Sequence, residues 1–204
     1  MSWLELHVPR TPRPLDIDGQ LEEVAWQASA RSGPFTERGG EQQARPYSDV
    51  RLLFDDEALY VALYAADEDI HATAAHDGPL WLEDAFRLDL EMADGGVKYT
   101  LEFGANGSVT DSVTKPPAAA DYGWESHARV KVSVDETLND PRDLDEEWVV
   151  EVAVPWSSLG LHGPPAELTV SARRCDTPQN EKRRCATWGS AGERQARVKL
   201  RFGV

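Results

Sequence analysis

The residues best placed to do chemistry lie in "HDGPLWLEDAFRLDL", residues 76 to 90. The stretch begins as a turn and ends as a strand, and Trp81 stands at the junction. A large aromatic there is either a plug at the end of a sheet or a platform held out for a ligand. Beyond it, Arg87, Asp89 and Glu91 alternate with Phe86, Leu88 and Leu90, so the charges share one strand face. A flat apolar ring beside hydrogen-bonding charges is the chemistry of recognition. Asp84, between them, reads as a structural acid that fixes the loop into the strand. No catalytic constellation accompanies this stretch. The chain has no Ser-His-Asp order, no GxSxG and no CxxCH, and its five histidines are dispersed. His71 and His76, with Asp77 nearby, fall short of a metal set. Met92 is the one internal methionine, so axial haem ligation lacks its usual residues. Loop carboxylates in "DDE" (55 to 57) and "DED" (67 to 69) leave calcium open, without EF-hand spacing. No other cofactor is expected.

The two cysteines, Cys175 and Cys185, lie in "RRCDTPQNEKRRC". Two thiols without nearby histidine cannot complete a tetrahedral zinc site, and the spacing is not CxxC. A disulfide across a hairpin is the expected use, and it favours an oxidising, extracytoplasmic compartment. Against that location, "MSWLELHVPR" lacks the basic and apolar regions of a secretory signal. Trp188 follows this hairpin and precedes the loop-like "GSAGE". The formal net charge of −15 argues against nucleic acid, where clustered Lys and Arg must release counterions, and against anionic membranes. The longest apolar run, "LYVALYAA", is too short to span a bilayer.

Positioning these residues is the work of strands. "FRLDLEM", "KYTLEF", "RVKVSV", "WVVEVAV" and "RVKLRF" each alternate apolar and polar residues, one face on a core and one in water. "VRLLF" and "LYVALYAA" are apolar at nearly every position and read as central strands. Turn signals such as "FDDEAL", "GANGS" and "LHGPPAE" separate the runs. Helical periodicity is limited to "QLEEVAWQAS", with Leu21, Val24, Ala25 and Ala28 on one side, and to "PWSSLG". Trp26, Trp148 and Trp156 fit buried periodic positions, while Trp3 and Trp124 have no clear face. "TKPPAAADYG" is the most loop-like insertion, long enough to lie over one edge. With 204 residues, 41% hydrophobic and 28% charged, the chain fits one domain, residues 1 to 204. The fold class predicted is all-β: an antiparallel two-sheet β-sandwich, immunoglobulin- or jelly-roll-like, with one or two short helical turns.

Six segments in order sharpen this reading: "LDIDGQLEEVAWQ", "VRLLFDDEALYVALYAADEDI", "LWLEDAFRLDLEM", "YTLEFGANGSVTD", "EEWVVEVAVPWSSLG" and "ATWGS". Together, over about residues 15 to 204, they resemble the family 9 carbohydrate-binding modules and the wider group of DOMON-like domains. The resemblance implies a ligand site on one sheet face, with two tryptophans clamping a terminal sugar. The first opens a strand with Trp-x-x-Asp, here Trp81 and Asp84; the second falls on Trp188. Each ring offers flat apolar area to the C–H face of a pyranose. If a ring covers about 50 Å² of sugar, burial contributes roughly 1 kcal/mol.

The polar partners depart from that family. Its Glu after the Asp is Arg87 here, its Arg in the next strand is Glu102, its Asn is Gly104, and its Gln falls near Arg173. Acid and base have changed places, but Arg87, Glu102 and Arg173 share the outward parity of their strands and could line one pocket. The expected function is therefore non-catalytic binding of a saccharide or similar small polar or anionic ligand. Trp81 and Trp188 would form its walls and Arg87, Glu102 and Arg173 its floor, with Cys175 and Cys185 bracing the Trp188 loop. The rival readings are an accessory or interaction domain with a decayed sugar site, and an enzyme of cyclase or isomerase type using Glu102 within aromatic walls.

Overall fold

In a computed structural model, residues 4–37, 42–93, 95–178, 182–188 and 197–203 are described. Trp3 and the segment after Trp188 lie outside them. The strands are β1 (Leu4–Val8), β2 (Ala30–Arg31), β3 (Ser48–Phe54), β4 (Ala58–Ala66), β5 (Ala85–Met92), β6 (Lys98–Gly104) and β7 (Val109–Thr114). They continue with β8 (Arg129–Val134), β9 (Glu147–Pro155), β10 (Glu167–Asp176), β11 (Arg184–Thr187) and β12 (Val198–Phe202). One α-helical turn, α1 (Val24–Gln27), and two 3-10 turns, Leu80–Leu82 and Trp156–Leu159, complete the described elements.

The strands form two sheets packed as a sandwich. The larger runs β1-β12-β10-β5-β6-β7, with β11 also paired to β10; the smaller runs β2-β3-β4-β9-β8. Among these strands every pairing is antiparallel except β1 with β12, which is parallel. Period-two alternation sends Phe86, Leu88, Leu90, Leu101, Phe103, Val150, Val152, Val154, Val170 and Leu200 into one shared core, each fully covered. Trp148 and Trp156 join it, as their positions required.

β3 and β4 are apolar on both faces for a visible reason. The N-terminal segment crosses the outer face of the smaller sheet and makes a second core there. Leu15, Ile17 and Trp26 pack on Leu53, Tyr60, Ala62 and Ala153. The helical periodicity of "QLEEVAWQAS" shrinks to the single turn α1, and its buried residue is Trp26 rather than Val24, which is 76% exposed. "PWSSLG" forms the 3-10 turn Trp156–Leu159, and Gly160 ends it at a left-handed φ of 73°. With the outer face of β3, β4 and β9 covered in this way, the outer face of β10, β5, β6 and β7 stays open.

Candidate functional site

That outer face is a trough of about 420 Å³. Arg173 of β10, Arg87 of β5, Lys98, Thr100 and Glu102 of β6, and Thr110, Ser112 and Thr114 of β7 line it, with Trp81, Ala120, Tyr122 and Arg183 around them. The register explains the grouping. Arg173 pairs with Arg87, Arg87 with Glu102 and Glu102 with Thr110, so one cross-strand row carries all four. Four strands at ~4.8 Å spacing make a floor ~14 Å wide, and Glu102 to Lys98 runs another ~14 Å along the strand. The trough is an extended surface, larger than a slot for one ring.

Its electrostatics are uneven. Arg87 donates from Nε and Nη2 to Asp89 Oδ1, at 3.2 and 3.1 Å, and from Nη1 to Glu102 Oε1 at 3.2 Å. Thr100 Oγ1 donates to Asp89 Oδ1 at 2.6 Å. Burial alone would lower the Arg87 pKa; the two carboxylates outweigh it and hold it above its ordinary value. Arg173 is treated differently. Its pKa is pushed down by burial first and by the Arg87 charge second.

Trp81 sits in the 3-10 turn Leu80–Leu82, where Leu80 is buried as an anchor and the indole is 42% exposed. Asp84 fixes this turn as a structural acid should: its carboxylate accepts from the backbone N–H of His71 (2.6 Å) and of Thr177 (2.7 Å). Glu83 accepts from the N–H groups of Thr73 and Ala74 (2.6 and 2.9 Å), and Thr110 Oγ1 donates to the Gly78 carbonyl at 2.9 Å. Gly104, where an Asn was expected, is tightly enclosed. A Cβ there would stand 2.9 Å from Asn106 Oδ1 and 3.5 Å from Leu80 Cδ2.

Trp188 is not a wall of this site. It is 1% exposed and belongs to the shared core, and its indole Nε1 has no hydrogen-bond partner among the described residues. Parity is the cause. β11 pairs with β10 through Arg173↔Thr187 and Cys175↔Cys185, which puts Thr187 and Cys185 outward with Arg173. Ala186 and Trp188 must then point inward, and both are buried. The Cys175–Cys185 disulfide is present, but it secures a strand whose tryptophan faces the core. Trp81 and Trp188 are therefore not brought together as the expected two-tryptophan clamp.

Tyr122, a residue that no strand pattern marks, supplies a second exposed aromatic at the trough. The insertion after β7 folds back along its edge: Val113 and Asp121 exchange both backbone hydrogen bonds, at 3.1 and 2.8 Å. Asp121 Oδ1 also accepts from the Gly123 N–H at 2.9 Å, tightening the turn. This leaves Tyr122 61% exposed beside the Thr114 end of β7, while the turn carrying Trp81 lies over its Val109 end through Asp77 N–H to Val109 O. The two rings therefore stand at opposite ends of the trough. Trp124 turns away and packs on Tyr99 at 5.1 Å between ring centroids.

Among the described residues, two groups of ligand-type side chains lie outside the trough. Carboxylate oxygens of the buried Asp67, Asp84 and Asp176 lie within 4.8 Å of one another. Arg174 already supplies their countercharge, with Nη2 at 2.6 Å from Asp67 and 3.5 Å from Asp176. Burial, with Asp67 beside it, pushes the Asp84 carboxyl up to about 7. His76, Asp77 and Glu125 form an exposed group. Asp55, of the "DDE" turn, accepts from the Glu57 and Ala58 N–H groups and the Tyr60 hydroxyl.

The chain matches no protein-family model, and no curated protein matches its sequence. Solved structures do share its fold, and that fold is the one seen in family 9 carbohydrate-binding modules. A protein of Bacteroides uniformis proposed to bind carbohydrate superposes with a TM-score of 0.76 at 12% identity, covering 99% of this chain and 100% of that one. A family 9 module of Caldicellulosiruptor kristjanssonii in complex with cellotriose gives 0.64 at 17% identity, covering 98% and 95%. A family 9 module from the same organism in complex with glucose gives 0.60 at 14% identity, covering 97% of each chain.

Proposed function

We propose that this domain is a non-catalytic saccharide-binding module whose ligand lies along the outer face of β10, β5, β6 and β7. The observation that carries this reading is the trough itself: exposed rings of Trp81 and Tyr122 at its two ends, and charged and hydroxyl side chains between them. A sugar chain needs that combination. Apolar C–H faces rest on aromatic rings, and hydroxyls require donors and acceptors to replace water. The neutralised Arg87–Glu102 pair and Thr100, Thr110 and Ser112 offer both kinds of group. Rings at opposite ends of the trough suit an oligosaccharide with one sugar on each, rather than one sugar held between two tryptophans. Glu102 is engaged by Arg87, an arrangement for holding a ligand rather than for moving a proton.

Binding of a panel of di- and trisaccharides to the wild type, Trp81→Ala and Tyr122→Ala proteins tests this directly. Each ring removed should weaken binding about five- to tenfold, the equivalent of roughly 1 kcal/mol of lost apolar contact. Both rings are exposed, so the folded state should be little affected. A trough that binds no saccharide, or binds one equally well in both variants, would overturn the proposal.

A further inference from the structure

Arg173 and Arg87 are directly paired across neighbouring antiparallel strands, an arrangement that like charges disfavour. Arg87 is neutralised by Asp89 and Glu102. Arg173 is not: among the described residues its side chain makes no hydrogen bond and no ion pair, although it is half-buried. Arg183, on the approach to β11, is exposed beside it and is likewise unpaired among the described residues. A guanidinium presents a planar fork of donors that matches an oxyanion, and leaving it half-buried without one is unfavourable.

The surroundings reinforce this. Among the described residues, four cations line the trough, Arg87, Lys98, Arg173 and Arg183; the carboxylates against them are Glu102 on the lining and Asp89 beside it, which pairs both Arg87 (3.1 Å) and Lys98 (3.8 Å), so the excess positive charge rests on Arg173 and Arg183. The whole chain carries a formal charge of −15. A cationic concavity on an acidic molecule concentrates field at that one place and draws in anions.

We infer that the ligand is an acidic saccharide, with an oxyanion on one sugar held by Arg173 and Arg183 while Trp81 packs against a ring. The inference rests on the saccharide reading of the trough and adds the charge class of the ligand. A uronic acid carboxylate and a sulfate ester share the required chemistry.

Calorimetric titration with cellotriose, with the trisaccharide of galacturonic acid and with a sulfated galactose trisaccharide separates the cases. At least one of the charged ligands should bind about tenfold or more tightly than cellotriose. That advantage should shrink as salt is raised, because the contacts are partly exposed. Arg173→Gln and, independently, Arg183→Gln should each reduce affinity for the charged ligand several-fold more than for cellotriose. Removing an unneutralised charge leaves no buried partner behind, so both variants should fold. Preference for the uronate or for the sulfated ligand identifies which oxyanion is used. Cellotriose binding as tightly as both charged ligands, with sensitivity to Trp81→Ala retained, would overturn this inference and leave the saccharide reading standing. Binding of none of the three would overturn both.

Discussion

The indole Nε1 of Trp26 donates to Glu151 Oε1 at 3.0 Å, joining the N-terminal segment to the outer face of β9. The other carboxylate oxygen accepts from the backbone N–H groups of Asp18 and Gly19, both at 3.0 Å. Glu151 has no solvent exposure, and burial pushes its carboxyl up from 4.5 to about 7 despite these donors.

A carboxyl raised in the folded state binds its proton more tightly there than in the unfolded chain. Its contribution to stability is therefore full below pH 4.5, falls as pH rises to about 7, and is level beyond. The loss should amount to at most ~3 kcal/mol. Glu151→Gln should remove this component of the slope while lowering stability by ~1–3 kcal/mol, because the amide NH₂ then meets a donor in either orientation, the Trp26 indole N–H or the backbone N–H groups of Asp18 and Gly19. Urea unfolding between pH 4 and 8 measures both effects. Identical pH slopes in the two proteins would contradict this account of Glu151.

Trp188 separates folding from binding. Trp188→Ala should cost ~3–5 kcal/mol through a large core cavity. Trp188→Phe should cost much less, because the remaining ring fills most of that cavity and the N–H that is lost has no partner among the described residues. Thermal unfolding of the two variants gives the comparison, and equal losses would show that the size of the cavity does not set the cost.

Arg174 closes one end of the sandwich through Asp67, whose Oδ2 also accepts from Trp148 Nε1 at 3.3 Å. Arg174→Met should destabilise by ~3–5 kcal/mol, because it strands buried carboxylates without their countercharge. The loss should be smaller at low pH, where Asp176, whose carboxyl burial holds above its ordinary value, takes up a proton. A pH-independent loss would point to packing alone.

The disulfide ties β11 to β10 across a short loop. Cys175→Ser with Cys185→Ser should lower stability by about 2–3 kcal/mol, most of it through a less restricted unfolded chain. Denaturant titration of this double variant against the wild type measures it, and equal midpoints would mean that the link adds nothing to folding.

The two-sheet sandwich was legible from alternation alone, because a strand with one wet face writes its period into the residue types, as "FRLDLEM" and "WVVEVAV" do. The outward row of Arg87, Glu102 and Arg173 was legible for the same reason. Trp188 was misjudged although the information was present. A cross-strand Cys175–Cys185 pair places Cys185 on the outer face, and counting three residues onward turns Trp188 inward. The expected disulfide and the expected clamp were incompatible on parity. Tyr122 was missed because nothing local marks it: its position depends on Asp121 bridging to Val113, a contact between a loop and an edge strand that no periodicity encodes. The second core was equally hidden. Leu15 and Ile17 carry no local sign of the surface they meet, which the chain reaches only by crossing β3, β4 and β9.

The parallel pairing of β1 with β12 matches Leu4 to Val198 at one end and Val8 to Phe202 at the other. Tension drawn outward on Leu4 and Phe202 therefore runs along the ladder and loads its hydrogen bonds together, in shear, where a hairpin geometry would let them break singly in turn. Tethered by both flanks to a moving partner, such a domain would hold its shape under pull, and the trough on the same sheet would keep its outline while the ligand strains against it.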